Sequence, residues 1–437
     1  MCYHIFMIEE CPKITGLPLI ELNLIKDYSS EISKVNDEYY YWDKVKYNTP
    51  KGIKKEDFWA LVKYSRTANS KIYNFKTCTF SLFETNKMQE YLHNFDMNFG
   101  GTISSPDMLS NKNKQYYLLS SIMEEAIASS QMEGAATTRK VAKEMLRKQA
   151  KPKDKSQQMI LNNYNTIRYL SEHKNDELSP ELLLTIHKQI TEKTLDNPKD
   201  EGHFRTDNNI FVVNGITGDI AHEPPSYKQI KKVVFQLCKF INEDKEFIHP
   251  IIKAIILHFM ISYLHPFVDG NGRTARSLFY WYMLKKGYWL TEYLSISRII
   301  YKSKGQYEKA FLYTEHDDFD LGYFVNYNLK VLNDAFYELQ AYLNRKTQEN
   351  SALLEYRMSG LNERQIQIIT LCSKKTSSIF ISKELATRFS VSVKTIRSDL
   401  EGLVKLGLLI KVPLNKRLTG YSKAENFEER LEVIKGN

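Results

Sequence analysis

The chain has 437 residues, 42% hydrophobic and 26% charged, with 61 Lys/Arg against 52 Asp/Glu and a formal net charge of +9. This is the composition of a folded globular protein, not of a disordered or low-complexity one, and the length suits roughly two to four domains. The longest apolar run, 251–264, is broken by Lys253 and His258 and is shorter than the ~20 residues of a membrane span, so a buried core helix is expected there and no membrane partner.

In chain order, residues 1–95 mix aromatic and basic residues with short apolar runs, as in Tyr39-Tyr40-Tyr41-Trp42 and the alternating Thr77–Leu82. They read as a small N-terminal α+β module. The N-terminus has no basic leader and meets Glu9 and Glu10 at once, and the five cysteines (Cys2, Cys11, Cys78, Cys238, Cys372) show no C-x-x-C spacing. Reduced thiols and a cytoplasmic location are expected.

Residues 96–345 read as mostly helical. Ser179-Pro180-Glu181 places a cap and a first-position proline before an apolar stripe. Ser226 is expected to cap a helix carrying Ile230, Val233, Val234, Leu237, Phe240 and Ile241 on one face. Pro250 opens the helix of 251–264. Asn271 or Gly272 opens a helix ending near Lys286, with Gly287 just past its end. Between these helices, Ile210-Phe211-Val212-Val213 and Ile220-Ala221-His222 flank Asn214–Asp219 and predict a β-hairpin. The charged stretch Arg345–Asn350 reads as a linker. Residues 360–437 predict helices at Glu363–Leu371, Ser382–Phe389 and Val393–Leu406, then strands at Leu408–Val412 and Arg417–Tyr421. The expected fold is therefore mostly α, a helical core with a hairpin flap, between an α+β module and a C-terminal winged helix-turn-helix.

Chemistry concentrates in His265-Pro266-Phe267-Val268-Asp269-Gly270-Asn271-Gly272-Arg273-Thr274-Ala275-Arg276. The Gly/Asn turn must bend sharply and feeds a helix whose first N–H groups lack internal partners, which makes an anion site. Arg273 and Arg276 share a helix face in the first turn, where cations oppose the macrodipole and call for an external anion. Asp269 offers a hard oxygen of the kind that shares Mg²⁺ with phosphate. Pro266 biases His265 toward an extended backbone, and the imidazole is a candidate general base. Phe267 is expected to anchor the loop in the core.

This stretch resembles the Fic family motif, His-x-Phe-x-Asp/Glu-Gly-Asn-Gly-Arg-x-x-Arg, with every fixed position met. The resemblance covers about residues 110–340, including Gly202-His203-Phe204-Arg205 and Pro224-Pro225. It implies AMP transfer from ATP to a hydroxyl side chain of a target protein, with self-modification also open. On that resemblance His265 deprotonates the target, Asp269 binds Mg²⁺, and Gly270, Asn271 and Gly272 form the anion hole. Arg273 holds phosphate oxygens and Arg276 meets the γ-phosphate, with Thr274 and Ala275 between them in the ATP site. The hairpin arm Ile210, Phe211, Val212 and Val213 resembles the family's target-docking flap. Removal of AMP, or transfer of another phosphate-containing group, is a further chemistry of such proteins.

Ser129-Ser130-Gln131-Met132-Glu133-Gly134 matches the family's inhibitory pattern, Ser/Thr-x-x-x-Glu-Gly/Asn, at the end of a helical stretch at about 115–134. The expectation is that Glu133 pairs with Arg276 and blocks the γ-phosphate. Brakes of this type in the family often accompany dimers, so a homodimer is a candidate assembly.

Residues 361–437 hold fourteen Lys/Arg against eight Asp/Glu, most of the chain's excess charge. Leu385, Ala386, Val391, Ile396, Leu400 and Leu403 give the core stripe of a helix-turn-helix. Lys394, Arg397, Lys411, Lys416 and Arg417 are candidate phosphate contacts. DNA binding through 382–423 and docking to a protein are both open, as is a nucleotide-sensing DNA-binding regulator in place of an enzyme.

Overall fold

The computed structural model describes residues 2–3, 8–14, 25–99, 111–214, 220–357, 361–374, 379–389, 391–415 and 418–435. Its helices are α1 (Ser29–Glu38), α2 (Trp42–Val45), α3 (Lys55–Thr67), α4 (Asn86–Phe99), α5 (Asn111–Met132), α6 (Arg139–Lys148), α7 (Lys155–Glu172), α8 (Pro180–Thr191), α9 (Ile230–Asn242), α10 (Pro250–Leu264), α11 (Asn271–Lys285), α12 (Ile296–Lys302), α13 (Lys304–His316), α14 (Gly322–Arg357), α15 (Glu363–Lys374), α16 (Ser382–Phe389), α17 (Val393–Lys405) and α18 (Phe427–Lys435). The strands are β1 (Cys2–Tyr3), β2 (Lys71–Phe75), β3 (Cys78–Leu82), β4 (Val212–Asn214), β5 (Ile220–His222), β6 (Phe380–Ile381), β7 (Leu409–Asn415) and β8 (Leu418–Lys423). The chain divides into two compact units, Met1–Leu339 and Gln340–Asn437.

In the first unit α10 and α11 form the centre. Both are buried around nearly their whole circumference; α10 is apolar on nearly all faces, as expected of a core helix, whereas α11 also buries the polar residues Asn271, Arg273, Thr274, Arg276 and Ser277. Around them pack α5, α7, α8, α9 and the 3₁₀ turn Trp289–Tyr293. Local signals set the starts of these helices. Ser179 Oγ accepts from Leu182 N at 3.1 Å, with Pro180 at the first position. Pro250 opens α10, and Gly287 follows α11 at φ +86°. Ser226 departs from expectation. Its side chain makes no capping bond, and a short 3₁₀ turn, Tyr227–Gln229, precedes α9.

Within this unit a buried polar cluster joins the N-terminal helices to α14 and the turn before it, and β3 is held there by backbone bonds of Ser81 with Phe319 and Leu321. Arg66, 1% exposed, donates to Asn36 Oδ1, to the Tyr40 carbonyl and to Tyr323 Oη. Lys63 Nζ reaches Asp317 Oδ2 at 2.7 Å and Asp320 Oδ2 at 3.1 Å. Removing one member of such a set strands a buried charge, at a cost of about 3–5 kcal/mol. Close packing reinforces the joint, since a Cβ on Gly322 would lie 1.9 Å from Tyr39 Cζ.

Residues 345–350, expected as a linker, lie inside the 36-residue α14. The segment is charged but has neither Gly nor Pro, and its Lys, Arg, Gln and Glu are good helix formers. In the second unit, β6, β8 and β7 form a sheet in that order beside α16 and α17. Leu385, Ala386, Ile396, Leu400 and Leu403 are buried in its core and Val391 packs against it. The strands run to Asn415 and Lys423, longer than expected, and β6 and α18 are additional. Lys416 and Arg417 lie outside the described residues, as do residues 215–219 of the predicted hairpin turn and Ser390 of the helix-turn-helix.

Candidate active site

The loop from α10 to α11 brings the motif residues to one place. His265 ends α10 with a left-handed backbone, φ 47° and ψ 58°, instead of the extended one expected before proline. Tertiary contacts override the local bias. His265 N donates to the Ile261 carbonyl at 3.1 Å, while Arg205 Nε takes the His265 carbonyl and Arg205 N the Pro266 carbonyl, both at 2.9 Å. Such a position costs on the order of 1–3 kcal/mol and persists only where its surroundings fix it.

The His265 ring is buried, and Nδ1 lies 3.1 Å from the Ser262 carbonyl. A carbonyl only accepts, so Nδ1 carries the proton and Nε2 keeps its lone pair. Burial pushes the pKa down to about 4, against a smaller upward pull from the Ser262 bond. The ring is thus neutral at pH 7, the state that a base requires.

The turn that follows is braced from beneath. Phe267 is fully buried and stacks on His187, with ring centroids 3.7 Å apart. His187 Nε2 donates to the Asp269 carbonyl at 2.8 Å, and Nδ1 accepts from Gly202 N at 3.0 Å. That pairing fixes one neutral tautomer, and burial holds its pKa at about 4. Asn271 clamps the loop through both amide atoms, accepting from Phe267 N and donating to the Phe267 carbonyl. Its side chain is therefore a strut, and its backbone N–H is what remains for an anion.

Gly270 precedes α11 at φ +85°, and a Cβ there would approach Thr191 Cγ2 to 2.8 Å. Gly270→Ala should therefore combine backbone strain with a clash. We expect a loss of about 2–3 kcal/mol in stability, read by thermal denaturation, together with weaker ATP binding in calorimetry.

Thr274 N donates to the Gly270 carbonyl at 2.9 Å, the first bond of α11. Among the described residues the N–H groups of Asn271, Gly272 and Arg273 have no such partner, as the helix geometry dictates. Thr274 and Ala275 are fully buried. Arg273 is 1% exposed. Its Nη1 meets the Ile190 carbonyl at 3.1 Å and its Nη2 lies 3.7 Å from Asp269 Oδ2, but its buried Nε has no partner. Burial depresses its pKa. Asp269 turns outward, its side chain 51% exposed. No cluster of three or more His, Cys, Asp or Glu suited to a metal occurs among the described residues. A lone outward carboxylate beside open N–H groups fits Mg²⁺ shared with phosphate oxygens, not a closed protein cage.

Arg276 is 5% exposed and faces the end of α5. Its Nε and Nη2 donate to Ser129 Oγ and the Ser129 carbonyl, each at 2.9 Å. Nη2 also meets Glu133 Oε1 at 2.9 Å, with both side chains only 4% exposed. Helix α5 stops at Met132, and Gly134 at φ +91° turns the chain. Glu133 thus lies at a helix C-terminus with a cation in contact, which offsets the unfavourable dipole. A second buried carboxylate of α5, Glu125, accepts from Ser297 N at 2.8 Å and from Ser297 Oγ, and burial raises its pKa.

In the hairpin, β4 begins at Val212, so Val212 and Val213 lie in the ladder while Ile210 and Phe211 precede it. Val212 pairs with His222 and Val213 with Ile220. His222 Nε2 faces the Tyr263 carbonyl at 2.7 Å and Nδ1 faces the Glu315 carboxylate at 2.9 Å. Both partners accept, so the ring is a charged imidazolium pinning the hairpin to α10 and α13. Burial opposes that charge, but the Glu315 interaction outweighs it and the pKa is raised. Val212, His222, His265, Gly272 and Phe311 line a largely apolar cavity.

His187, Arg205, His222 and Glu315 were not assigned roles from the sequence. Gly202–Arg205 offered the one local signal, as part of a longer resemblance. The others are single residues brought in by distant helices.

Residues 177–283 match the Fic/DOC family, and residues 364–413 match the DeoR-like helix-turn-helix domain. The chain therefore contains a Fic-family domain followed by a DeoR-like helix-turn-helix. It is 28% identical over 116 residues to the protein adenylyltransferase Fic of Nematostella vectensis, covering 26% of this chain and 25% of that protein. It is 31% identical over 118 residues to the protein adenylyltransferase fic-1 of Caenorhabditis elegans, covering 26% and 21%. The match thus spans a quarter or less of each relative's length. Among solved structures, a Fic family protein from Desulfovibrio desulfuricans G20 superposes with TM-score 0.49 at 17% identity, over 77% of this chain and 94% of that one.

Proposed function

We propose that the chain is a protein adenylyltransferase, transferring AMP from ATP to a Ser, Thr or Tyr hydroxyl of a target protein, and that Glu133 restrains it. One observation carries this reading. A neutral buried imidazole, three open N–H groups and a buried guanidinium with an unpartnered Nε share one loop.

The N–H groups of Asn271, Gly272 and Arg273 and the Arg273 side chain hold phosphate oxygens, where charge develops during transfer. The apolar cavity beside His265 seats the nucleoside base. His265 Nε2 takes the proton as the target oxygen attacks the α-phosphorus, the α–β phosphoanhydride bond breaks, and pyrophosphate leaves. Asp269 would hold Mg²⁺, which neutralises phosphate charge when bound. Arg276 is the cation left for the γ-phosphate, and its pairing with Glu133 supports a brake. The His222 and Glu315 anchors keep the hairpin beside this site.

Incubation of Glu133→Gly with ATP labelled at the α- or the γ-position tests the reading. Label retained on protein only from the α-position is expected. Label from the γ-position alone would make the reaction phosphate transfer instead.

For the second unit we propose DNA binding through α17. Lys394 and Arg397 are exposed on it while Ile396 and Leu400 face inward. Lys411 is already paired with Glu401 at 2.7 Å and contributes less. Gel-shift titration should show affinity falling steeply with salt, and Arg397→Ala should reduce the log–log slope by about one. Binding with no salt dependence would point to protein docking.

A further inference from the structure

The β2–β3 hairpin has an open edge. β2 pairs with β3 without a register break, Ile72 opposite Ser81 and Asn74 opposite Thr79. Ser81 turns both backbone groups away from β2: its N–H donates to the Phe319 carbonyl and its carbonyl accepts from Leu321 N. In an antiparallel ladder, opposite residues exchange both bonds or neither, in alternation. Ile72 and Asn74 therefore point their own N–H and C=O groups outward, and among the described residues neither backbone has a partner there. Edge strands are usually blunted by proline, a bulge or charge. β2 has no proline and no bulge, and its one charge, Lys71, lies at its first residue. Ile72 is 55% exposed.

Along its whole length β2 lines a groove of about 740 Å³, with Phe240, Phe247 and Ile248 on the facing side. Phe247 is 81% exposed. Tyr73 and Phe75 meet the Phe240 ring edge-on, with centroids 6.2 and 5.4 Å apart, so an added strand would lay alternate side chains on that apolar wall. One end of the groove is basic. Gln236 Oε1 accepts from Lys76 N at 2.9 Å, and Lys232 lies one helical turn before Gln236 on α9. Both lysines are exposed and have no carboxylate partner among the described residues, whereas Lys71 and Lys245 are paired with Glu84 and Glu243.

We propose that this edge docks an extended segment of a partner protein, added as a third strand beside β2, with apolar side chains on the Phe240–Phe247 wall and acidic side chains against Lys76 and Lys232. Open N–H and C=O groups on alternate residues recognise main chain, while the wall and the two lysines select side chains. A second copy offering its own β2 would bring no acidic residue to these lysines, because β2 has none.

Residue-resolved hydrogen exchange and peptide titration on the full chain test this. In the free chain the Ile72 and Asn74 amides should exchange fast and the Tyr73 amide, inside the ladder, slowly. Slow exchange at Ile72 and Asn74 would mean an edge already filled, by a second copy if light scattering gives a dimer and by the chain itself if it gives a monomer, and either overturns the proposal. The probes are two capped peptides, Thr-Val-Thr-Val-Thr-Val with Asp-Glu added at the N-terminus or at the C-terminus, since strand direction decides which end meets Lys76. One of them should bind and slow exchange at Ile72 and Asn74. Its affinity should fall at least tenfold when Lys-Lys replaces Asp-Glu, in the exposed double variant Lys76→Glu/Lys232→Glu, or when the peptide amides facing β2 are N-methylated. Failure of both peptides to bind at millimolar concentration, or binding that leaves both amides fast, overturns the docking edge. Equal binding by the lysine peptide overturns the acidic partner.

Discussion

The Glu133→Gly variant should incorporate AMP about one to two orders of magnitude faster than the unmodified chain. Glu133 holds Arg276 through a buried ion pair at 2.9 Å. A charge-assisted hydrogen bond to a polyphosphate contributes about 1.5–3 kcal/mol, and each 1.36 kcal/mol is tenfold in rate. The same change should lower the thermal midpoint without nucleotide, because a buried guanidinium loses its counter-charge. Its two bonds to Ser129 limit that loss. Adding ATP with Mg²⁺ should then stabilise the variant more than the unmodified chain, since a ligand stabilises in proportion to its affinity. Differential scanning fluorimetry with and without ATP reads this directly. Equal incorporation rates together with equal ATP-induced shifts would remove the brake.

In that released background, His265→Ala should cut transfer by a further 10²–10⁴-fold, the usual contribution of a general base, while ATP binding in calorimetry changes little. The ring reaches the phosphate site from the end of α10 and takes no part in the N–H cradle. Because burial holds its pKa at about 4, the neutral base persists well below pH 6.5. The acid limb of kcat/KM, which reports the free enzyme, should therefore fall near pH 4. A midpoint near 6.5 would mean that the catalytic imidazole is not this buried one.

Stability should follow a different acid profile. His187, His258 and His265 all have lowered pKa values, about 4, 3 and 4, chiefly through burial. An unfolded histidine titrates near 6.5, so below that pH the unfolded chain binds more protons than the folded one. The stability held by these neutral rings is complete above pH 6.5 and is lost as pH falls from there through about 4 for His187 and His265 and about 3 for His258. Chemical denaturation at pH 7.5, 6 and 5 measures the decline.

The stretch from His265 to Arg276 could be read from its residues alone as a turn that feeds a helix. Its glycines and the helix that follows act on their immediate neighbours, so the sharp turn and the open N–H groups of Asn271, Gly272 and Arg273 are local matters. The periodic helices of the core and the helix-turn-helix were legible for the same reason, since a helical face repeats every 3.6 residues. The pairing of Glu133 with Arg276, 143 residues apart, was anticipated from two patterns together, and packing supplied the distance. The left-handed backbone of His265 came from tertiary contacts, since Arg205 takes the carbonyls of both His265 and Pro266 and overrides the local bias. Tertiary packing alone brought His187 beneath the loop, His222 onto Glu315 and β1 onto β4. Each of these is one or two residues without a repeat, and its partner depends on how helices far apart in the chain pack. Residues 345–350 misled for the converse reason: charge marks exposure to solvent, and an exposed segment without glycine or proline can continue a helix.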